Sequence, residues 1–119
     1  MMIPEAADPW LLTLTFPEPL GERIVSVLRE HPDVAPGFVL IRCEGHGPAV
    51  ILRTNAERVG GWSARLMVQI VIGQQASSRL LAHLASALPS PEVHYRRVRL
   101  ADAGSLADLP PVGEDPAAA

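Results

Sequence analysis

Two hydrophobic periods follow one another along this chain in a fixed order, and that order leaves few folds open. Trp10 to Phe16, WLLTLTF, alternates Leu12, Leu14 and Phe16 against Leu11, Thr13 and Thr15, the period-two pattern of a strand. PEPLGERIVSVLREH then spaces Leu20, Ile24 and Leu28 four residues apart with Val25 alongside, which predicts an amphipathic helix over 18–31. Pro19 suits its first turn and Pro32 marks its stop. Gly37 to Glu44 is rich in strand formers, with Phe38 and Leu40 on one parity and Val39, Ile41 and Cys43 on the other, so both faces call for burial.

Trp62 to Ile72 is the clearest run: Trp62, Ala64, Leu66, Val68, Ile70 and Ile72 face one way and Ser63, Arg65, Met67, Gln69 and Val71 the other. GQQASSRLLAHLASALPSP predicts a second long helix, with Leu81, Leu84, Ala85 and Leu88 as its apolar stripe. The pair Ser77 and Ser78 suits its cap, and Pro89 and Pro91 its end. Glu92 to Leu100 alternates imperfectly, which predicts an edge strand with a bulge near Arg96 and Arg97.

Strand, helix, strand, strand, helix, strand is the ferredoxin-like βαββαβ arrangement: an α+β fold with two helices on one face of a four-stranded antiparallel sheet, its first and third strands central. Two parallel βαβ units would need a crossover helix between the second and third strands, and that stretch has room only for a short one. The expected organisation is a flexible start over 1–9, a domain over 10–106 and a disordered, proline-bearing tail over 107–119.

The sequence has 119 residues, a net charge of -3, one cysteine and no lysine. This fits a single compact domain and argues against a general nucleic-acid binder. A single cysteine cannot form an intrachain disulfide, and the first residues lack the basic start and apolar run of a signal peptide, so a cytoplasmic location is expected. The apolar runs fall far short of the roughly 18 residues of a membrane span, so no membrane insertion is expected.

Between the second and third strands lies CEGHGPAVILRTNAERVGG, Cys43 to Gly61. Thr54 and Glu57 spell a capping box, which predicts a single helical turn that Gly60 and Gly61 can end. Gly45 to Arg53 has little that fixes one conformation. It reads either as a mobile docking loop, with Gly45, His46, Gly47 and Arg53 as its candidate contacts, or as a hairpin extension in which AVIL prolongs the ladder.

The helix and strand order, GHG at Gly45 to Gly47, AERVGG at Ala56 to Gly61, ALPSPEVHY at Ala87 to Tyr95 and GSL at Gly104 to Leu106 together resemble a PII-like family, domain of unknown function 3240, related to PII nitrogen-regulatory and CutA-type trimeric proteins. The resemblance covers roughly residues 10–106. It implies homotrimers with sheets facing inward, a regulatory role, and adenine nucleotides or other small metabolites bound between subunits. It also implies that the segment from Gly45 to Gly61 meets a partner protein. A setting in heavy-metal tolerance, with a membrane efflux transporter as partner, is implied too. Independently, Val39, Ile41, Cys43, Met67 and Val71 form a second apolar parity that two helices on one face cannot cover. At about 25 cal/mol per Å² its burial between copies is favourable.

Arg97 and Arg99 resemble the paired arginines that meet nucleotide phosphates in PII proteins, with Arg58 of a neighbouring subunit as a third candidate. The chain differs in lacking the glycine-lysine segment before that strand. The alternative is that these arginines guard a sheet edge against aggregation. Cys43 and His46, with Glu44 or His31, are candidate ligands of a soft metal ion such as copper or zinc; otherwise they are a buried thiol and a loop histidine. His83 and His94 read as surface or core histidines. No catalytic triad, paired carboxylates or phosphate loop can be assembled, so no enzyme is expected. Three functions are left: a ligand-sensing regulator acting through residues 45–61, a metal-binding accessory protein, and a structural oligomer.

Overall fold

The computed structural model describes residues 8–113. Its elements follow in the expected order: β1 (Pro9–Pro17), α1 (Gly21–Glu30), β2 (Val39–Gly45), a short α2 (Asn55–Gly60), β3 (Ser63–Gly73), α3 (Gln74–Ala87) and β4 (His94–Arg99). One antiparallel sheet runs β2-β3-β1-β4, with β1 and β3 central. The fold is the ferredoxin-like α+β arrangement. The expected start and tail lie partly outside the described residues, at 1–7 and 114–119.

One face of the sheet builds the core. Leu12, Leu14 and Phe16 of β1 lie opposite Ile70, Val68 and Leu66 of β3, and Ile24 and Leu28 of α1 close over them with Leu80 and Leu84 of α3. Each such side chain contributes about 1.5–3 kcal/mol when fully buried. A turn of 3-10 helix over Glu18–Leu20, with Pro19 in its first positions, leads into α1. The helix packs close enough to the sheet that a Cβ on Gly21 would come within 2.6 Å of Leu66 Cδ1. Val27 shares the buried stripe of α1, and Val25 sits at its flank.

Three local expectations are corrected. The serine pair does not cap α3: the helix starts directly after β3 with Gly73 as N-cap, and Ser77 lies buried inside it, its hydroxyl donating to the Gln74 carbonyl at 2.7 Å. The stripe of α3 shifts accordingly to Ser77, Leu80 and Leu84, which leaves Leu81 half-buried. Nor does β4 carry a bulge, because its register with β1 is unbroken from Thr15 opposite His94 to Trp10 opposite Arg99. All six β4 residues are exposed in the single chain, so neither parity had to be apolar, and the sequence alternates poorly for that reason.

Candidate functional site

The β2–β3 connection divides into two unlike halves. In the second, Thr54 Oγ1 accepts from the Glu57 amide at 3.0 Å, and Glu57 Oε1 accepts from the Thr54 amide at 3.4 Å. That is the expected capping box, and Gly61 ends the turn with φ 78°. Glu57 does more than cap: Oε1 also accepts from the Arg53 amide and Oε2 from the Ala64 amide, both at 2.8 Å, so one carboxylate ties the entry of α2 to the start of β3. These donors, the Arg53 amide foremost, hold the Glu57 pKa below the ordinary carboxylate value. The Arg53 guanidinium pairs with Glu92, just ahead of β4, and the hydrogen bond to that carboxylate raises the arginine's pKa. Arg65 Nη2 donates to the Glu92 carbonyl at 3.1 Å.

The first half has fewer ties. β2 ends at Gly45 opposite Ser63, and residues 48–53 form no strand, so AVIL does not prolong the ladder. His46 Nε2 lies 2.9 Å from Glu44 Oε1, and the Val50 amide donates to the Gly47 carbonyl at 3.2 Å. Ile51 and Val59 project exposed from the connection. These two apolar side chains join the candidate contacts Gly45, His46 and Gly47, whereas Arg53, the fourth, is instead engaged by Glu92 and Glu57; apolar residues between two turn signals were the only sign of them.

The arginines are only partly gathered. Arg97 and Arg99 point to the helix-covered side of β4, opposite Leu12 and Trp10. Arg97 Nη1 donates to Ser78 Oγ at 2.9 Å and to Ser77 Oγ at 3.2 Å, which sets the guanidinium beside the first turns of α3. Arg99 lies over the Trp10 ring, 5.2 Å from its centroid, with Nε 3.8 Å from Asp8 Oδ1. The N-cap Gly73 offers no side-chain acceptor to the amides that open α3. A guanidinium beside the first turns of a helix, with a second arginine two residues along the same strand face, suits an anion. Arg58 stands on α2 at the other end of the sheet, about 30 Å away along β3, so within one chain it does not join them. Ser77 and Ser78 carried no signal of this role, since only the β1–β4 register sets Arg97 against them.

Cys43 and His46 also part. Cys43 lies opposite Arg65 on the side of the sheet without helices, whereas Glu44, the next residue along the strand, turns the other way and engages His46. The His31 ring stacks on His83 with centroids 3.9 Å apart. Among the described residues no group of three or more metal-ligating side chains assembles, so the metal reading gains no geometric support.

The sheet side without helices carries Val39, Ile41 and Cys43 from β2, Met67 and Val71 from β3, Leu11 from β1 and Val98 from β4, interspersed with Thr13, Thr15, Gln69 and Arg96. Val39 is 58% exposed and Ile41 38%. In the sequence comparison, residues 6–107 match the family described as protein of unknown function DUF3240. The chain belongs to the DUF3240 family.

This DUF3240 chain is similar in structure to a DUF3240 family protein from Shewanella baltica, with 20% identity, a TM-score of 0.65, and 82% of this chain and 96% of that one covered. It is similar to a putative PII-like signaling protein from Thermus thermophilus at 17% identity and a TM-score of 0.56, over 78% of this chain and 87% of that one. A third similar structure is CPII, a nitrogen regulatory PII-like protein from Thiomonas intermedia K12 bound to ADP, AMP and bicarbonate, at 14% identity and a TM-score of 0.54, over 78% of this chain and 92% of that one. No curated protein matches the sequence.

Proposed function

We propose that this DUF3240 protein is a PII-like regulator that binds a small anionic ligand, an adenine nucleotide, and acts through residues 45–61 on a partner protein. The observation that carries the reading is the division of the β2–β3 connection, one half held by Glu57 and Arg53 and the other left to meet a partner, on a PII-like fold. The CPII structure with ADP and AMP supports the ligand class. Three copies associate through the sheet side that bears Val39, Ile41 and Met67. The ligand phosphate sits against Arg97 and Arg99, and Arg58 of the adjacent copy completes the site. Because Arg58 belongs to α2, a ligand that engages it pulls on the turn closing the connection. The ligand then favours one arrangement of residues 45–53 by its differential contact. In the heavy-metal tolerance setting that the family resemblance implies, the partner is a membrane efflux transporter. The protein works by binding and performs no catalysis.

Titration calorimetry with ATP, ADP, AMP and cyclic nucleotides tests the ligand. At least one should release heat, and Arg97→Ala combined with Arg99→Ala should abolish it. Silence across the series, or binding unchanged in the double variant, would contradict the reading.

A further inference from the structure

Beyond β4 the chain is shaped but unsupported. The Leu100 amide donates to the Pro9 carbonyl at 3.0 Å, the last backbone tie to the sheet that the described residues make. Thereafter Ser105 Oγ accepts from the Ala107 amide at 3.2 Å, and the Asp108 and Leu109 amides donate to the Ser105 and Leu106 carbonyls at 3.0 and 3.2 Å. All these partners lie within the segment. They close a capped turn over Leu106–Asp108 whose apolar side chains find no cover: Leu106 is 85% exposed, and Leu109 and Val112 are exposed as well. Leu106 and Leu109, three apart on a 3-10 turn, stand on one side of it. A preformed turn that presents two leucines to solvent at the end of a small domain is an unusual expense for a segment without a partner.

The matching hollow lies elsewhere on the same chain. Between α3 and β4 runs a groove of about 500 Å³ lined by Leu14, Leu81, Leu84, Leu88, Val93 and Tyr95. Its rim is the outer edge of β4, beyond which the described residues place no strand. We propose that the turn at Gly104 to Leu109 of one copy seats Leu106 and Leu109 in the α3–β4 groove of a second copy.

The chain's own groove is poorly placed to receive the turn. The groove sits at the start of β4, beside Val93 and Tyr95, whereas the segment departs after Leu100, seven residues and about 23 Å further along the strand. To return, it would have to reverse within Ala101 to Gly104 and then cover that distance in the two steps left to Leu106. A second copy removes the need to reverse. The contact joins two different surfaces, so it closes into a ring only if the rotation between copies allows. It requires a second copy, as the proposed function does, but uses a surface separate from the helix-free side of the sheet.

The test uses the full chain with Cys43→Ser, Ala85→Cys in the groove and Asp108→Cys beside the seated leucines, oxidised at micromolar concentration and run on a denaturing, non-reducing gel. Ala85 and Asp108 are both exposed, so neither change disturbs the core or removes Leu106 or Leu109. Covalent multimers are expected with both new thiols present and should be lost when either is omitted. An internally linked single chain would show the turn folding onto its own groove, and two free thiols would show the groove empty of it; both outcomes overturn the proposal. Light scattering on the same samples separates the two readings: a trimer without cross-links overturns the seating of this turn alone.

Discussion

The two faces of the sheet are written on the same strands and meet opposite fates. On β3, Leu66, Val68, Ile70 and Ile72 are at most 5% exposed beneath α1 and α3, while the intervening Arg65, Met67, Gln69 and Val71 stay half-buried on the side no helix reaches. The first set is uniformly aliphatic and is covered by helices of the same chain. The second mixes aliphatic side chains with Thr13, Gln69 and Arg96, as surfaces that meet another protein do. Alternation in sequence therefore shows that the strands have two unlike faces; the polar admixture marks the one that the proposed function places between copies.

Truncation on the covered face should have the largest effect. Phe16→Ala, at a fully buried site, is expected to cost about 3–5 kcal/mol in chemical denaturation, and a cost near zero would mean the face is not the core. Ile41→Asp on the bare face should leave the far-ultraviolet dichroism of the chain unchanged while breaking the trimer, since the charge would be buried unpaired only in the assembly. Loss of the dichroism instead would make the two faces equivalent. A smaller effect is expected at the connection: Thr54→Ala removes the cap acceptor and should cost about 1 kcal/mol, with faster exchange of the amides of α2.

The smallest effect concerns pH. Glu57 has a lowered pKa in the folded chain, so its contribution is present above its unfolded value and is lost as pH falls through the folded one. The stability difference between the wild type and Glu57→Gln should therefore shrink on acidification below the usual carboxylate range. A difference constant through that range would remove the carboxylate from the account.

The central strands were legible because burial on one side imposes a strict period of two, and the Thr54–Glu57 box because it is purely local. β4 was not, since an exposed edge strand has no face that must be apolar. AVIL after Pro48 was ambiguous for the opposite reason: apolar residues suit a ladder or a docking loop equally, and only the end of pairing at Gly45 opposite Ser63 decides. Among the site residues, Arg97 and Arg99 share a face because they are two apart on a strand, a relation the sequence carries. The separation of Arg58 from them, and of Cys43 from His46, depends on strand order and on where β2 stops, which no local spacing encodes.

The claim on which the functional reading rests is that the bare sheet face is covered by copies of the same chain. Light scattering of the wild-type protein at micromolar concentration tests it most directly. A mass three times that of the chain is expected, falling below it in Ile41→Asp; a wild-type mass equal to one chain would contradict the account.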